Sequence, residues 1–375
     1  MPVVPLRIVA DENMPGLQLF AGLGQVIRLP GRDICRQQLL DADVLLVRSV
    51  TTVNAGLLDG TPIRFVGSAT IGTDHIDLPW LETAGICFAH APGCNAQAVA
   101  EYVLQAALGW ILERRKAMAG LTVGVVGCGS VGARVASLFR ALGAIVLCCD
   151  PPRQRRGDSI EGGWHSLDQV LGCDVVSLHV PLIRSGVDST LHLVGAQQLS
   201  TMTAAQLLIN TCRGAVIDNQ ALLAIPQEEL PQLVLDVWEG EPQVSPALFA
   251  RVRYGTPHIA GYSIEGKWRG SWMVCRALAQ WCDYQPVPAE PRSPASDYAG
   301  GVEVLADLLQ LLTSRYRIQA DHDALQASLS AANPVQAFDG LRKSYPDRHE
   351  LDGTRVTGAV AAPWRPVLSL LGVSG

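Results

Sequence analysis

Three side chains in the C-terminal half have the types that oxidation of an alcohol requires. They are Arg213 in Asn210-Thr211-Cys212-Arg213-Gly214, Glu241 in Asp236-Val237-Trp238-Glu239-Gly240-Glu241-Pro242, and His258 in Gly255-Thr256-Pro257-His258-Ile259-Ala260-Gly261. Removing hydride from a carbinol carbon needs a base for the hydroxyl proton. A histidine serves when a carboxylate orients it and stabilises the imidazolium. A guanidinium fork suits the carboxylate of a small acid, which it grips through two parallel hydrogen bonds. Each residue alone has an ordinary structural explanation: a histidine after proline, or an acid beside Pro242 in solvent. Their placement at the ends of successive strand-like segments makes the set meaningful.

The hydride acceptor is indicated upstream. The run Val123–Val126 breaks into G-x-G-x-x-G at Gly127, Gly129 and Gly132, and helical periodicity follows through Val135, Leu138 and Phe139. One glycine makes the strand-to-helix turn, one admits a pyrophosphate to the backbone, and one lets the helix pack close to the sheet. The pyrophosphate is then held by N–H groups at the helix N-terminus. A second strand, 144–149, ends in Asp150, and an acid there accepts the ribose hydroxyls of NAD while repelling the extra phosphate of NADP.

These residues need a scaffold of parallel strands, because ligands in open α/β sheets bind beyond the carboxyl ends of strands. Segments 174–179, 206–211 and 233–237 read as the further strands of the dinucleotide domain. Pro151-Pro152 and the charged residues after them read as a break in the chain. The first hundred residues read as a smaller α/β unit with strands at 6–9, 44–47, 64–66 and 86–88. Two of its loops stand out. Val47-Arg48-Ser49-Val50-Thr51 sets a cation and hydroxyls past one strand end, and Gly67 to Asp77 offers small residues with exposed amides, suited to an anion. The stretch 96–116 reads as a long helix crossing from one domain to the other.

Composition excludes several classes. The 375 residues are 48% hydrophobic with a net charge of −6, enough for two or three cores and unsuited to a nucleic-acid surface. The apolar stretch at Met1–Arg7 is too short for a signal peptide, and no apolar run reaches membrane-spanning length. The ten cysteines form no C-x-x-C pair or zinc-spaced cluster, which points to the reducing cytoplasm. Cys148 and Cys149 should face opposite sides of a strand, and Cys94 and Cys212 read as small buried filler.

The ordered set G-x-G-x-x-G, Asp150, N-x-x-R-G, D-V-x-x-x-E-P and T-P-H-I resembles the D-isomer-specific 2-hydroxyacid dehydrogenases over residues 1 to about 285. The resemblance implies an α/β fold with a Rossmann-type doubly wound parallel sheet domain (96–254) and a flavodoxin-like substrate domain (1–95 plus 255–285). In that family the site lies in the cleft between domains. It implies Arg213, Glu241 and His258 as catalytic residues, with no metal. It implies NAD contacts at Gly127, Gly129, Val131, Gly132, Asp150, Val180, Cys212, Asp236 and Gly261. Asp236 would meet the nicotinamide side. Val180 departs from the family's usual threonine and would offer only its backbone and an apolar wall.

The segments Val47–Thr51, Ala69–His75, Cys149–Pro152 and His258-Ile-Ala-Gly-Tyr262-Ser-Ile-Glu-Gly-Lys267 are similar to one branch of the family that acts on a phosphorylated 2-hydroxy acid. That similarity implies substrate contacts at Ser49, Thr70 and Tyr262. Amides near Thr70–Gly72 would assist, with Arg48 and Ser49 at the phosphate end. Beyond a proline-rich linker from Asp283, residues 286–375 would form a small α+β C-terminal dimerisation domain, giving a homodimer. It reads as helical at 302–312 and 333–344 and strand-like at 355–361, with too little core to stand alone. Arg342, Lys343 and Arg348 read as a solvated face, the sharper alternative being a grip on substrate phosphate across a dimer. The rival functions are a sibling dehydrogenase acting on an acid such as 3-phosphoglycerate, and a non-catalytic NAD-sensing protein.

Overall fold

The computed structural model describes residues 5–285 and 289–375. The first four residues of the N-terminal stretch and Pro286–Pro288 of the proline-rich linker lie outside the described residues. The chain forms two compact units, Met1–Asn95 with Ser263–Arg292 and Ala96–Tyr262 with Ser293–Gly375. The return segment, expected from 255, therefore begins at 263. Residues from 293 onward belong to the same unit as the dinucleotide-binding fold.

The first unit is a five-stranded parallel sheet of β1 (Leu6–Asp11), β2 (Gly24–Leu29), β3 (Val44–Val47), β4 (Phe65–Ser68) and β5 (Cys87–His90). Its order, β2-β1-β3-β4-β5, is the flavodoxin-like one. Strands β3 and β4 are buried along their whole length, as expected of strands covered on both faces. One face packs on Val274, Cys275, Leu278 and Ala279 of the Ile264–Trp281 helix. The approach is close: a Cβ on Gly67 would lie 2.3 Å from Val274 Cγ1.

The second unit carries six parallel strands: β6 (Thr122–Val126), β7 (Ile145–Cys149), β8 (Val175–Leu178), β9 (Leu207–Asn210), β10 (Gln232–Leu235) and β11 (Tyr254–Gly255). Their order is β11-β10-β9-β8-β6-β7, and a parallel bridge from Cys148 to Trp164 adds a rung outside β7. That gives the Rossmann order, with its switch point beside β6. Cys148 and Cys149 lie in the cores on opposite faces of this sheet, and none of the ten cysteines is in a disulfide. The break expected at Pro151-Pro152 is instead a short helix, Pro151–Arg155. Proline is favoured in a first turn, where its missing N–H costs nothing. No helix among the described residues is long and apolar enough to cross a membrane.

The C-terminal segment contains a two-stranded sheet of β12 (Ser296–Tyr298) and β13 (Thr354–Val356), with helices at Leu305–Arg315, Ile318–Leu329 and Pro334–Lys343. Its Leu308, Leu311, Leu312, Leu351 and Val367 complete the core that holds Val123, Val125 and Phe139 of the dinucleotide fold. The Ala96–Glu113 helix is the receiving surface. Its polar residues Gln97, Glu101 and Gln105, four apart and buried, form one stripe. Gln97 Nε2 donates to Leu371 O, Glu101 Oε1 accepts from Leu351 N, and Gln105 bonds both Tyr316 O and Ile318 N.

Arg348 overturns the expectation of a solvated face. It is 4% exposed, and its guanidinium donates to Ala98 O, Ile259 O and Ala260 O. Burial raises Glu101 to about 7, with the Glu350 carboxylate adding to the shift. The folded chain therefore holds a proton that the unfolded chain loses above its ordinary value near 4.5. Stability from this group is full below that value and is lost as pH rises towards 7, on the order of 3 kcal/mol. Denaturant titrations at pH 5 and pH 8 should show this loss in the wild type and a much flatter response in Glu101→Gln. Equal slopes in both proteins would remove the assignment.

Candidate active site

The three glycines of the β6 turn play three parts. Gly127 has φ +84°, and a Cβ there would meet His179 O at 2.6 Å and Val180 Cγ1 at 2.7 Å. A Cβ on Gly132 would fall 1.9 Å from Gly127 O, so the Ser130–Ala141 helix packs against the turn only through glycine. Gly129 alone has open space beyond its Cα. A pyrophosphate fits at that position, at the N-terminus of the helix that includes Val131. Asp150 is fixed beside the turn: Oδ2 accepts from Cys128 N at 2.9 Å and Oδ1 from Arg153 N at 3.1 Å. Val180 lies against the turn as an apolar wall.

Beyond β10, the segment after Asp236 and the segment after β11 meet. His258 Nδ1 and Glu241 Oε1 are 2.5 Å apart. A carboxylate only accepts, so Nδ1 is the donor in this contact, and in the neutral imidazole Nε2 is the nitrogen left with a lone pair. Glu241 Oε2 accepts from Trp238 N at 3.1 Å. Burial opposes ionisation of Glu241, but the His258 charge, the bonds from His258 and Trp238, and the Arg342 charge outweigh it, holding the carboxyl below its ordinary value. The imidazole is thereby oriented by an ionised partner and remains partly open, at 29% side-chain exposure.

His258 itself has φ +58°, a left-handed conformation unusual for a residue with a side chain. Asp236 explains how it persists. His258 N donates to Asp236 O, Thr256 Oγ1 and Ile259 N donate to Oδ1, and Ala260 N donates to Oδ2. Burial pushes the Asp236 carboxyl up, opposed by the His258 charge and these bonds. Within the described residues the Asp236 carboxylate works on the loop that carries His258 and Gly261.

Arg213 follows β9 and donates through Nη1 to Cys212 O at 2.7 Å. Asn210 braces the turn, donating to Arg213 O and accepting from Cys212 N. Gly214 is obligatory, since a Cβ there would lie 2.0 Å from the backbone carbon of Trp238. The Cys212 thiol is pushed up to about 11 by burial and stays protonated, as a packing residue would.

Two other histidines compete for the role of base. Burial drives His179, at the end of β8, down to about 3, so it cannot store the proton. His192 meets Glu239 Oε1 at 2.7 Å, but Glu239 Oε2 also holds Asn219 N, and Asp218 caps the Asn219–Ala224 helix. That cluster is committed to a helix start.

In the first unit, Arg48 Nε donates to the fully buried Asp11 at 3.1 Å, which offsets the arginine's charge. Ser49 is exposed. Thr70 Oγ1 donates to Gly72 O and lies 2.7 Å from Ser68 Oγ. Its hydroxyl is thus occupied within its own loop, while the N–H groups of Thr70, Ile71 and Gly72 have no partner among the described residues.

Several supporting residues escaped the sequence reading. Trp238, 2% exposed, donates from Nε1 to Thr256 O and from its backbone to Glu241. Tyr102 OH bonds Thr256 Oγ1 at 2.8 Å. His322, stacked on Phe249, accepts from Gly255 N at 3.0 Å. Tyr102 and His322 sit in no motif, and Trp238 occupies an unspecified position of D-V-x-x-x-E-P.

Residues 97–260 match the family model of the NAD-binding domain of D-isomer specific 2-hydroxyacid dehydrogenases. The chain is 46% identical to the erythronate-4-phosphate dehydrogenase of Pseudomonas syringae pv. syringae over 94% of each chain. It is 44% identical to that of Pseudomonas aeruginosa over 98% of this chain and 99% of the relative. Among solved structures, a D-lactate dehydrogenase from Aquifex aeolicus complexed with NAD and lactic acid superposes with a TM-score of 0.61 at 24% identity. That superposition covers 74% of this chain and 96% of the other, and it shows the shared fold.

Proposed function

Since the chain belongs to the D-isomer-specific 2-hydroxyacid dehydrogenase family, in its erythronate-4-phosphate dehydrogenase branch, we propose that it oxidises C2 of 4-phospho-D-erythronate with NAD. The product is the 2-oxo acid 3-hydroxy-2-oxo-4-phosphooxybutanoate, a step of vitamin B6 biosynthesis. The observation that carries the mechanism is the 2.5 Å contact of His258 Nδ1 with Glu241, which leaves Nε2 as a base.

NAD supplies, when bound, the acceptor for the hydride that leaves C2. His258 Nε2 takes the C2 hydroxyl proton as that hydride departs. Glu241 balances the imidazolium. Arg213 clamps the substrate carboxylate and polarises the carbonyl as it forms. Tyr262, Ser49, Thr70 and Gly72 are proposed substrate contacts, and the unpartnered amides at 70–72 support an anion grip by backbone. Gly127, Gly129, Val131, Gly132, Asp150, Val180, Cys212, Asp236 and Gly261 are the proposed cofactor contacts, and the Asp236 carboxylate also holds the loop that carries His258.

Gly129→Ala tests the cofactor assignment separately from folding. The space beyond Gly129 is open, so the variant should fold with nearly unchanged Tm. Its Kd for NAD should rise about tenfold or more, because the methyl enters space needed by the pyrophosphate. Unchanged NAD affinity by calorimetry would contradict the placement.

The substrate is tested by following NADH formation with 4-phospho-D-erythronate, 3-phosphoglycerate and D-lactate. The proposal expects the highest kcat/KM for the first. A preference for 3-phosphoglycerate would make the chain a sibling enzyme, and tight NAD binding without turnover on any 2-hydroxy acid would favour a sensing protein. A cytoplasmic homodimer joined through the C-terminal segment completes the proposal, and sedimentation at the mass of one chain would remove the dimer.

A further inference from the structure

We propose that Arg342 selects the phosphorylated end of the substrate from within its own chain, its guanidinium held ready by the Tyr262 ring. The proposal rests on the functional reading above. Arg342 lies in the last turn of the Pro334–Lys343 helix, where the helix C-terminus favours a cation. That helix is anchored by buried Phe338 and by Leu341, packed against the core that contains Trp238. The Arg342 guanidinium carbon sits 5.6 Å from the Tyr262 ring centroid. Tyr345, three residues on, meets the same ring edge-on at 5.7 Å, and its hydroxyl donates to Asp321 at 2.7 Å. The segment thus grips Tyr262, four residues beyond the catalytic histidine, from two directions. The Arg342 charge is also among those that lower Glu241.

The cations of this unit near the site divide by what they already hold. Arg348 is spent on three backbone carbonyls. Arg213 is assigned to the substrate carboxylate. Arg342 makes no hydrogen bond or ion pair among the described residues, and its Nε is out of solvent without a partner. A partly buried guanidinium in that state is costly unless a ligand completes it. Contact with an aromatic face orients the fork without consuming any N–H donor. The donors therefore remain for a group with several charged acceptor oxygens, and a phosphate monoester matches the fork. In the first unit Arg48 is less suited, because buried Asp11 already offsets its charge.

The test compares the wild-type full chain with Arg342→Ala and Arg342→Gln at saturating NAD, using 4-phospho-D-erythronate and unphosphorylated D-erythronate. The glutamine keeps a stem against Tyr262 while removing the charge. Both variants should lower kcat/KM for the phosphorylated acid by on the order of 10- to 100-fold, mainly through KM, as loss of a charge-assisted contact does. The free acid should lose far less, so the preference for phosphate collapses. An equal loss on both acids would show that Arg342 only props Tyr262, and an unchanged preference in the glutamine variant would overturn the proposal. Failure of the wild type to make NADH from 4-phospho-D-erythronate would instead sink the functional reading itself.

Discussion

Replacing His258 with alanine is expected to lower kcat by a factor on the order of 100 to 10,000, with little change in the KM for NAD. Positioned acid–base catalysis supplies roughly that much. The loss should fall on kcat because the imidazole acts on the hydroxyl proton as the C2–H bond breaks, not on initial binding. The left-handed backbone at this residue (φ +58°) complicates alanine, so His258→Asn is the control. Asparagine tolerates that conformation yet cannot store a proton at neutral pH. Both variants should be equally slow. If His258→Asn turned over at near the wild-type rate, the base would have to lie elsewhere. Glu241→Gln should be slowed less than either, since its loss removes the orienting charge but leaves the imidazole in place.

Replacing Arg213 with alanine is expected to reduce kcat/KM by on the order of 100- to 1,000-fold, the range seen when one donor to a developing oxyanion is removed. Arg213→Lys should recover little of this, because a point charge does not reproduce a planar fork aimed at carboxylate and carbonyl oxygens together. The local structure makes these clean experiments. The backbone at 210–214 is held by Asn210 and by the close contact of Gly214 with Trp238, so the arginine can be cut back without moving its strand. Near-wild-type kcat/KM in Arg213→Lys would show that the group supplies charge alone.

The parts of this architecture written locally were legible in the sequence. A β-branched run ending in three glycines has one economical explanation, and Gly127 and Gly132 each have a separate steric reason in the structure. The strand ends carrying Arg213, Glu241 and His258 were legible because motif and periodicity agree over a few residues. What depends on distant partners was not. Gln97, Glu101 and Gln105 show a buried polar stripe only once the carbonyls and amides of residues 316–371 are seen opposite them. Arg348 looks like any surface arginine until its three carbonyl acceptors are known. Strand β2 escaped because, at the edge of its sheet, its GQVIRL sequence is only partly covered and lacks a buried strand's apolar run. The motif makes Asp236 visible as an expected cofactor contact, whereas its bonds to residues 256–260 require the fold.

The most direct test of the central claim follows one atom. Full-length protein should be given NAD and 4-phospho-D-erythronate carrying deuterium at C2, and the nicotinamide product examined by mass spectrometry. The account predicts that one deuterium appears in the reduced nicotinamide for each molecule of 2-oxo acid formed. Oxidised product accompanied by unlabelled NADH would contradict direct transfer from C2, and with it the roles given to His258 and Arg213.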